Sequence, residues 1–580
     1  MYQSLRRHHL VFGLMILFLL FGSLLVINNN YRFNNQKLLQ QFGLSLRPVV
    51  NHPYKPVCNN YKAGYGHCLA EIALNIDGHP LNGFPATSGG YGPDQFHTAY
   101  DLPCTPGGNV ATVCQTPQNF GPQTIAIVDA GNFSSGISGL NTSLNNYDQY
   151  FGIAQCNTTD GCLEVVNQTG SNNPANLPAD AGWSDEIALD LETAHMICQT
   201  CKILLVEANT ASVADLAAAN LTASSFNPVA ISNSWGAGSD YSSYDANFQY
   251  NNIADLAATG DSGTVSVGAA WPADIPQVVA VAGTTLNLNS NNTYNSESVW
   301  IDSGGGCSNY YSAPTWQKSL SDWSTNGCGA YRSFGDVSAD ANPNTGEAVN
   351  IDGTWYLIGG TSLATPIIAG IYGLSSGIAS ATSPPVETLY LNNSAANFHN
   401  ITTGNDCTST GQLHCTATTG FNTPSGLGSP NGLGAFQTLP LNPINLNATD
   451  INQNLIDLSW SMESTTGISG YYVYQNGVKI ANVTTESYAA TGLTLNAYYN
   501  YFVVAYNSQG ELSSPSMTVT ARATYPADIN QNGHVGLLDL SLLSAKYGQS
   551  GSNLGRADIN RDGVVNLLDL SILAQEYGDN

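Results

Sequence analysis

Charge is what this 580-residue sequence has least of: Asp, Glu, Lys and Arg make up only 10% of it, against roughly 25% in ordinary globular proteins. Basic residues are the scarcer kind, 15 against 41 acidic, for a formal net charge of −26. That imbalance argues against nucleic acid and anionic membrane surfaces as partners. Protonation near pH 4 would remove much of the charge, so the composition suits an acidic exterior. Long apolar runs are equally scarce. One exists, Leu10 to Ile27, with Arg6 and Arg7 before it and Asn28, Asn29 and Asn30 after it. Its basic flank would stay in the cytoplasm while the rest is exported. No Ala-x-Ala cleavage site follows, which favours an uncleaved membrane anchor over a signal peptide.

Cysteine is absent before Cys58 and after Cys415, and the 12 residues between fall into sequence neighbours: 58/68, 104/114, 156/162, 198/201, 307/328 and 407/415. An even count in an exported chain reads as disulfides closing small loops. No thioredoxin-like unit surrounds Cys198 and Cys201, so a structural bridge is expected there rather than a redox pair.

A chain this long exceeds one core, and about three to five units are expected. Residues 1–27 read as the signal or anchor segment and 28–57 as a linker or short pro-segment. Over 58–440, short apolar runs such as Thr124 to Val128, Ile203 to Val206, Val229 to Ile231 and Val278 to Ala282 alternate with helical spacing over Asp185 to Ile197 and Thr365 to Ser375. That alternation predicts an α/β domain with a mainly parallel sheet. Over 441–524 the period changes to strand-like alternation, as in Leu455-Ile-Asp-Leu-Ser-Trp460 and Tyr499 to Ala505, which predicts an all-β sandwich. The early Trp460, Gly492-Leu-Thr and the Tyr-x-Tyr-x-Val pattern resemble a fibronectin type III domain.

Residues 525–580 contain a repeat: Asp528-Ile-Asn-Gln-Asn-Gly-His-Val-Gly-Leu-Leu-Asp539 recurs as Asp558-Ile-Asn-Arg-Asp-Gly-Val-Val-Asn-Leu-Leu-Asp569. Oxygen-bearing side chains at loop positions 1, 3, 5 and 12, with glycine at 6, suit Ca²⁺. The ligands would be Asp528, Asn530, Asn532, His534 (through its carbonyl) and Asp539, then Asp558, Asn560, Asp562, Val564 (carbonyl), Asn566 and Asp569. The first loop has Gly536 where the second has Asn566 and is expected to bind less tightly. Each loop leads into an apolar helix, Leu537 to Tyr547 and Leu567 to Tyr577. The pair resembles a type I dockerin, which implies calcium-dependent folding and a cohesin-like partner.

Four stretches carry candidate chemistry. Gly359-Gly360-Thr361-Ser362 is a glycine-rich turn that delivers one serine into an apolar helix, a setting for a nucleophile. Glu186 and Asp190 lie four apart on one helical face among Ile187, Leu189 and Leu191, so they can share protons in a cleft. Asp261 sits in the turn Gly260-Asp261-Ser-Gly263. The fourth stretch joins the glycine triplet Gly304 to Gly306 with Asp336 to Pro343.

In order from Gly90 to Pro430, and including Trp271-Pro-Ala273, Gly283-Thr-Thr285 and Gly-Thr-Ser-x-x-x-Pro, these stretches resemble the sedolisins, the serine-carboxyl peptidases. The resemblance implies a subtilisin-like fold, a triad of Ser362, Glu186 and Asp190, an oxyanion role for Asp261, and an acidic optimum. It also implies a calcium site late in the domain. At the matching positions stand Asn400, Ile401, Gly420 and Asn422, where the family has aspartates at the two asparagine positions, so a weak or absent site is expected. The stretch between Ile27 and Gly90 is too short for the family's long pro-domain, so zymogen control by such a domain is not expected. Two other readings compete: a subtilisin-type enzyme using Asp129, His195 and Ser362, although no His-Gly-Thr-His follows Asp129, and an inactive calcium-dependent adhesion or scaffold protein.

Overall fold

A computed structural model describes residues 50–579 apart from 59–61, 84–89, 107–111, 115–122, 173–177, 265–269, 376–383, 410–413, 437–441, 453, 463–467, 508–511, 514 and 552. The run Leu10 to Ile27 lies outside the described residues. Among those described, no helix is long and apolar enough to cross a membrane.

The first domain is built on a central sheet. Its strands are β4 (Thr124–Ala130), β5 (Leu163–Asn167), β6 (Lys202–Ala208), β7 (Ala230–Asn233), β9 (Ala254–Ala258), β10 (Val279–Leu288), β11 (Tyr294–Val299) and β12 (Val337–Asp340), in the order β11-β10-β9-β7-β4-β6-β5 with β12 also on β10. All pairings are parallel except β10 with the edge strand β11. Alternate residues of a strand point to opposite faces, and here both faces are covered. Ile125 and Ile127 enter the core shared with α1 (Gly136–Phe151), α2 (Ala181–Ile197) and α4 (Thr361–Ser375), while Ala126 and Val128 enter the core beneath α3 (Val213–Ser225). This is why the strand sequences are almost continuously apolar.

Helices α2 and α4 pack against one another. Gly370 permits their close approach, since a Cβ there would lie 2.5 Å from Ile197 Cβ. Helix α4 begins four residues before the run with helical spacing, at Thr361 instead of Thr365, so Ser362 falls inside its first turn. Pro366 has no N–H for the Ser362 carbonyl, and that carbonyl instead lies 3.3 Å from the Ser234 hydroxyl oxygen.

A second, antiparallel sheet runs β1 (Tyr54–Pro56), β3 (Glu71–Ala73), β14 (Thr354–Gly359), β13 (Glu347–Ile351). Residues 54–56, expected in the linker, are thus an edge strand of the domain. A short pair joins β2 (His67–Cys68) to β8 (Trp235–Gly236). Five of the expected disulfides are formed: 58–68, 156–162, 198–201, 307–328 and 407–415. The sixth pair falls on two strands whose register sets Cys104 opposite Cys114. Their side chains are outside the described residues.

The second unit is a sandwich of a three-stranded and a four-stranded antiparallel sheet. Strands β15 (Ile444–Asn452), β16 (Leu455–Ser461) and β19 (Ser487–Thr491) face β18 (Val478–Val483), β17 (Ile468–Gln475), β20 (Tyr498–Asn507) and β21 (Val519–Arg522). Trp460 is buried against Tyr471 in its core, ring centroids 5.5 Å apart. The last unit packs α5 (Leu537–Lys546) and α6 (Leu567–Glu576) over Val535, Leu543, Val565 and Leu573. Arg556 ties it to the sandwich through Asp450 at 3.2 Å and the Thr524 hydroxyl at 2.8 Å.

Candidate active site and calcium loops

Helix α2 starts at Asp180, whose carboxylate accepts the N–H groups of Gly182 and Trp183, an N-cap that fixes the helix end. One turn in, Glu186 and Asp190 are both completely buried. The Ser234 hydroxyl donates to Asp190 Oδ1 at 2.8 Å, and the Ser234 carbonyl accepts the Ser362 hydroxyl at 3.1 Å. Neither oxygen of Glu186 has a geometric hydrogen-bond partner.

Asp129, near the end of the central strand β4, belongs to the same cluster, buried with both oxygens unpartnered. Burial pushes its carboxyl up to about 8. Burial, reinforced by the Asp129 charge, raises Glu186 well above the usual range, with the Ser362 hydroxyl pulling the other way. Asp190 is raised by burial and by the charges of Asp129 and Glu186, against the Ser234 hydrogen bond. Three acids in one dry cluster therefore share protons at pH values where isolated carboxyls have lost theirs.

Asp261 stands on the other side of the serine turn. Its Oδ1 accepts the Thr361 N–H at 2.8 Å and the Thr361 hydroxyl at 2.7 Å, while its buried Oδ2 has no partner. Desolvation lifts it to about 7 against those two hydrogen bonds. Gly360, at φ +100°, must be glycine: a Cβ there would lie 2.2 Å from the Leu69 carbonyl oxygen and 2.6 Å from Asp261 Oδ2. The Ser362 N–H donates to that Leu69 oxygen at 3.1 Å. A helix N-terminal N–H and a carboxyl oxygen without a partner thus both lie at the serine turn, on either side of Gly360 and Ser362.

The fold brings together Glu186, Asp190, Asp261 and Ser362, the four residues singled out in the sequence. Two further members went unread as parts of this cluster. Asp129 closes a buried strand at the carboxyl end of a parallel sheet, which is where such sheets place ligand sites. Ser234 follows β7 in a run of small polar residues that carries no pattern of its own. The Ser/His/Asp alternative fails on geometry. His195 lies nine residues after Glu186, half a turn round the helix, and is buried with Nε2 on the Ala154 carbonyl at 2.8 Å and 3.4 Å from Asp148.

The late catalytic-domain site does not fit a calcium ion. Asn400 accepts the Gly420 N–H at 3.1 Å and donates to the Gly420 carbonyl at 2.8 Å. Asn422 accepts the Ser425 N–H at 3.2 Å, which fixes its amide orientation, and donates to the Ile401 and Thr418 carbonyls at 3.1 Å each. Amide N–H groups occupy the carbonyls that a cation would need.

The two C-terminal loops are different. Asp528 accepts the N–H groups of Asn532 and Gly533, and Asp558 those of Asp562 and Gly563, at 2.8–3.1 Å. Asp539 and Asp569 each close their loop by accepting two backbone N–H groups. Inward-facing oxygens at matching positions suit a hard cation. Asn566 reaches the loop's Asp562 at 3.4 Å, and Gly536 offers no side chain in its place.

Sequence comparison agrees with this picture. Residues 526–576 match the dockerin type I domain. The chain is 36% identical over 182 residues to sedolisin of Pseudomonas sp. (strain 101), covering 29% of this chain and 30% of that protein. It is 29% identical over 364 residues to kumamolisin of Bacillus sp. (strain MN-32), covering 57% and 63%. Among solved structures, a Pseudomonas sedolisin (serine-carboxyl proteinase) complexed with two molecules of pseudo-iodotyrostatin aligns over 59% of this chain and 95% of its own, at 25% identity and a TM-score of 0.48. The parallel-sheet domain is thus similar in sequence to sedolisin and kumamolisin. The chain as a whole carries that domain ahead of a type I dockerin domain, and it spans less than two thirds of the length of the curated relatives it matches.

Proposed function

We propose that this chain is an acid-active serine-type endopeptidase that works outside the cytoplasm. Ser362 is the nucleophile, Glu186 takes up its proton, and Asp190, held by the Ser234 hydroxyl, orients Glu186. The Ser362 N–H and a protonated Asp261 stabilise the oxyanion. Attack on a peptide carbonyl gives an acyl-enzyme. Glu186 returns the proton to the leaving amine, and water then releases the acid.

The observation that carries this reading is Ser362 in the first turn of α4, its N–H on a carbonyl oxygen, beside the buried carboxyl groups of Glu186, Asp190 and Asp261. The C-terminal loops bind Ca²⁺ through Asp528, Asn530, Asn532, His534 and Asp539, and through Asp558, Asn560, Asp562, Val564, Asn566 and Asp569. They present α5 and α6 to a cohesin-like partner. Both helices expose leucines that support docking, Leu537 and Leu538 on one and Leu567 and Leu568 on the other. The test is cleavage of a peptide library at pH 4 by the chain, with loss in Ser362→Ala.

A further inference from the structure

The two C-terminal loops match in sequence but differ in charge and in surroundings. The first holds two carboxylates, Asp528 and Asp539, with the neutral Asn530 and Asn532 between them; the second holds three, Asp558, Asp562 and Asp569. Calcium affinity follows the charge and rigidity of the ligands, so on charge alone the first loop is the weaker. It is also the more enclosed. Asp528 and Gly533 are buried, while Asp558 and Gly563, at the matching positions, are half-buried. The cover is the neighbouring sandwich. Arg522, on β21 with its guanidinium carbon 5.6 Å from the centre of the Tyr498 ring, donates to the Gln531 carbonyl. The Asn496 side chain lies against Gly533, its amide nitrogen 3.4 Å from that residue's carbonyl oxygen. Arg556 joins the two units: Nε donates to the Asp528 carbonyl at 3.2 Å, while the other guanidinium nitrogens reach the Asp450 carboxylate and the Thr524 hydroxyl.

The backbone of the first loop is therefore held from outside at residues 528, 531 and 533. Gln531 is at φ +57°, in the left-handed region that a residue other than glycine enters at a cost. That turn lets the loop curl so that the Asn532 and Gly533 N–H groups reach Asp528. A loop held in its bound shape binds more tightly, since less ordering is left for the ligand to impose. We propose that the sandwich clamps the first calcium loop: Asn496, Arg522 and Arg556 hold it ready for the ion, so that calcium at this loop and docking of the sandwich onto the tail are one coupled equilibrium. The inference rests on the calcium reading above. Coupling of this kind runs both ways. The clamp strengthens a loop poor in carboxylates, and calcium in that loop fastens the sandwich to the dockerin domain. The sandwich is thus part of the calcium module rather than a spacer, and calcium sets how rigidly α5 and α6 are carried.

Full-length chain carrying Ser362→Ala, which prevents self-digestion, is titrated with Ca²⁺ by calorimetry, alone and with Asp528→Asn or with Asn496→Ala and Arg522→Ala together. Hydrogen exchange of residues 519–527 is followed with Ca²⁺ and with EDTA. Two binding steps are expected, of which Asp528→Asn removes one. In the double substitution that same step weakens about tenfold, within the span typical of coupled sites, and the other step is unchanged. Removal of an arginine would by charge alone tighten a cation site, so weakening reports the clamp. Exchange at 519–527 is expected to be fast in EDTA, slow with Ca²⁺, and fast with Ca²⁺ in Asp528→Asn. Two steps of wild-type or greater strength in the double substitution overturn the inference, as does equal weakening of both steps or exchange indifferent to Ca²⁺; each leaves the calcium reading standing. No Ca²⁺ bound by any form overturns both.

Discussion

Thr361 gives Asp261 two hydrogen bonds on the same oxygen, one from its N–H and one from its hydroxyl. Oδ1 is thereby committed, and a proton on the carboxyl belongs on Oδ2, which has no partner. The donor exists only in the acid form. With Asp261 lifted to about 7, kcat/KM is expected to fall as pH rises through about 7. Asn at 261 would keep the Thr361 bonds and donate at every pH, so Asp261→Asn should remove that limb. A pH profile of both forms on one peptide checks it; loss of an oxyanion donor costs about 10²–10³-fold.

Glu186→Gln should lower kcat by about 10²–10⁴-fold, the span expected of a general base. Because burial raises the carboxyl well above the usual range, so that the neutral form is favoured in the fold, the neutral amide should not lower Tm. His195→Gln should behave oppositely, keeping kcat within a few-fold while lowering Tm, since His195 is buried with Nε2 on the Ala154 carbonyl, 3.4 Å from Asp148. Steady-state kinetics and melting curves on the two variants separate the roles.

Stability should increase toward acid. Burial raises Asp274 and Asp406 to about 7, Asp148, Glu207 and Glu347 to about 8, and Glu71 to about 9. A carboxyl raised on folding binds its proton more tightly in the native state. Its stabilising contribution is complete below the unfolded value near 4 and is lost as pH rises through the folded one. Calorimetry of Ser362→Ala, which avoids self-digestion, should show a higher Tm for the catalytic domain at pH 4 than at pH 7.5.

Chelation should affect the two ends of the chain differently. EDTA is expected to abolish the transition of residues 525–580 and leave that of the catalytic domain in place, because Asn400 and Asn422 already satisfy the carbonyls of their turn. Asn566→Gly should lower the affinity of the second loop toward that of the first, as read by calcium titration.

Arg556→Ala should loosen the sandwich from the calcium-loop unit by about 1.5–3 kcal/mol, the scale of charge-assisted hydrogen bonds, since it removes the contacts to Asp450 and Thr524. Peptide cleavage should be unchanged, and a protease-sensitivity assay at the junction reports the loss.

The strands and α2 were legible because the central sheet is buried on both faces, so β4 reads as an unbroken apolar run and Glu186 and Asp190 stand out among Ile187, Leu189 and Leu191. The start of α4 was not. Its first turn is Thr-Ser-Leu-Ala, with no residue type that separates a helix from a loop, and the helix begins there because the turn is held from outside by Asp261 and Ser234. Asp129 and Ser234 were missed as cluster members for the same reason: each acts across the sheet, on partners far away in sequence. Residues 54–56 read as linker because an edge strand of three residues, paired only with β3, is too short to carry an alternating pattern.

The amide-laced turn at Asn400 and Asn422 has one more effect. A loop held by carboxylates around a metal loosens when protons compete for its ligands, whereas side-chain amides do not titrate in that range. The hydrogen bonds that Asn400 and Asn422 make are therefore indifferent to the acid in which the enzyme is expected to operate, and to whatever in its surroundings scavenges divalent ions.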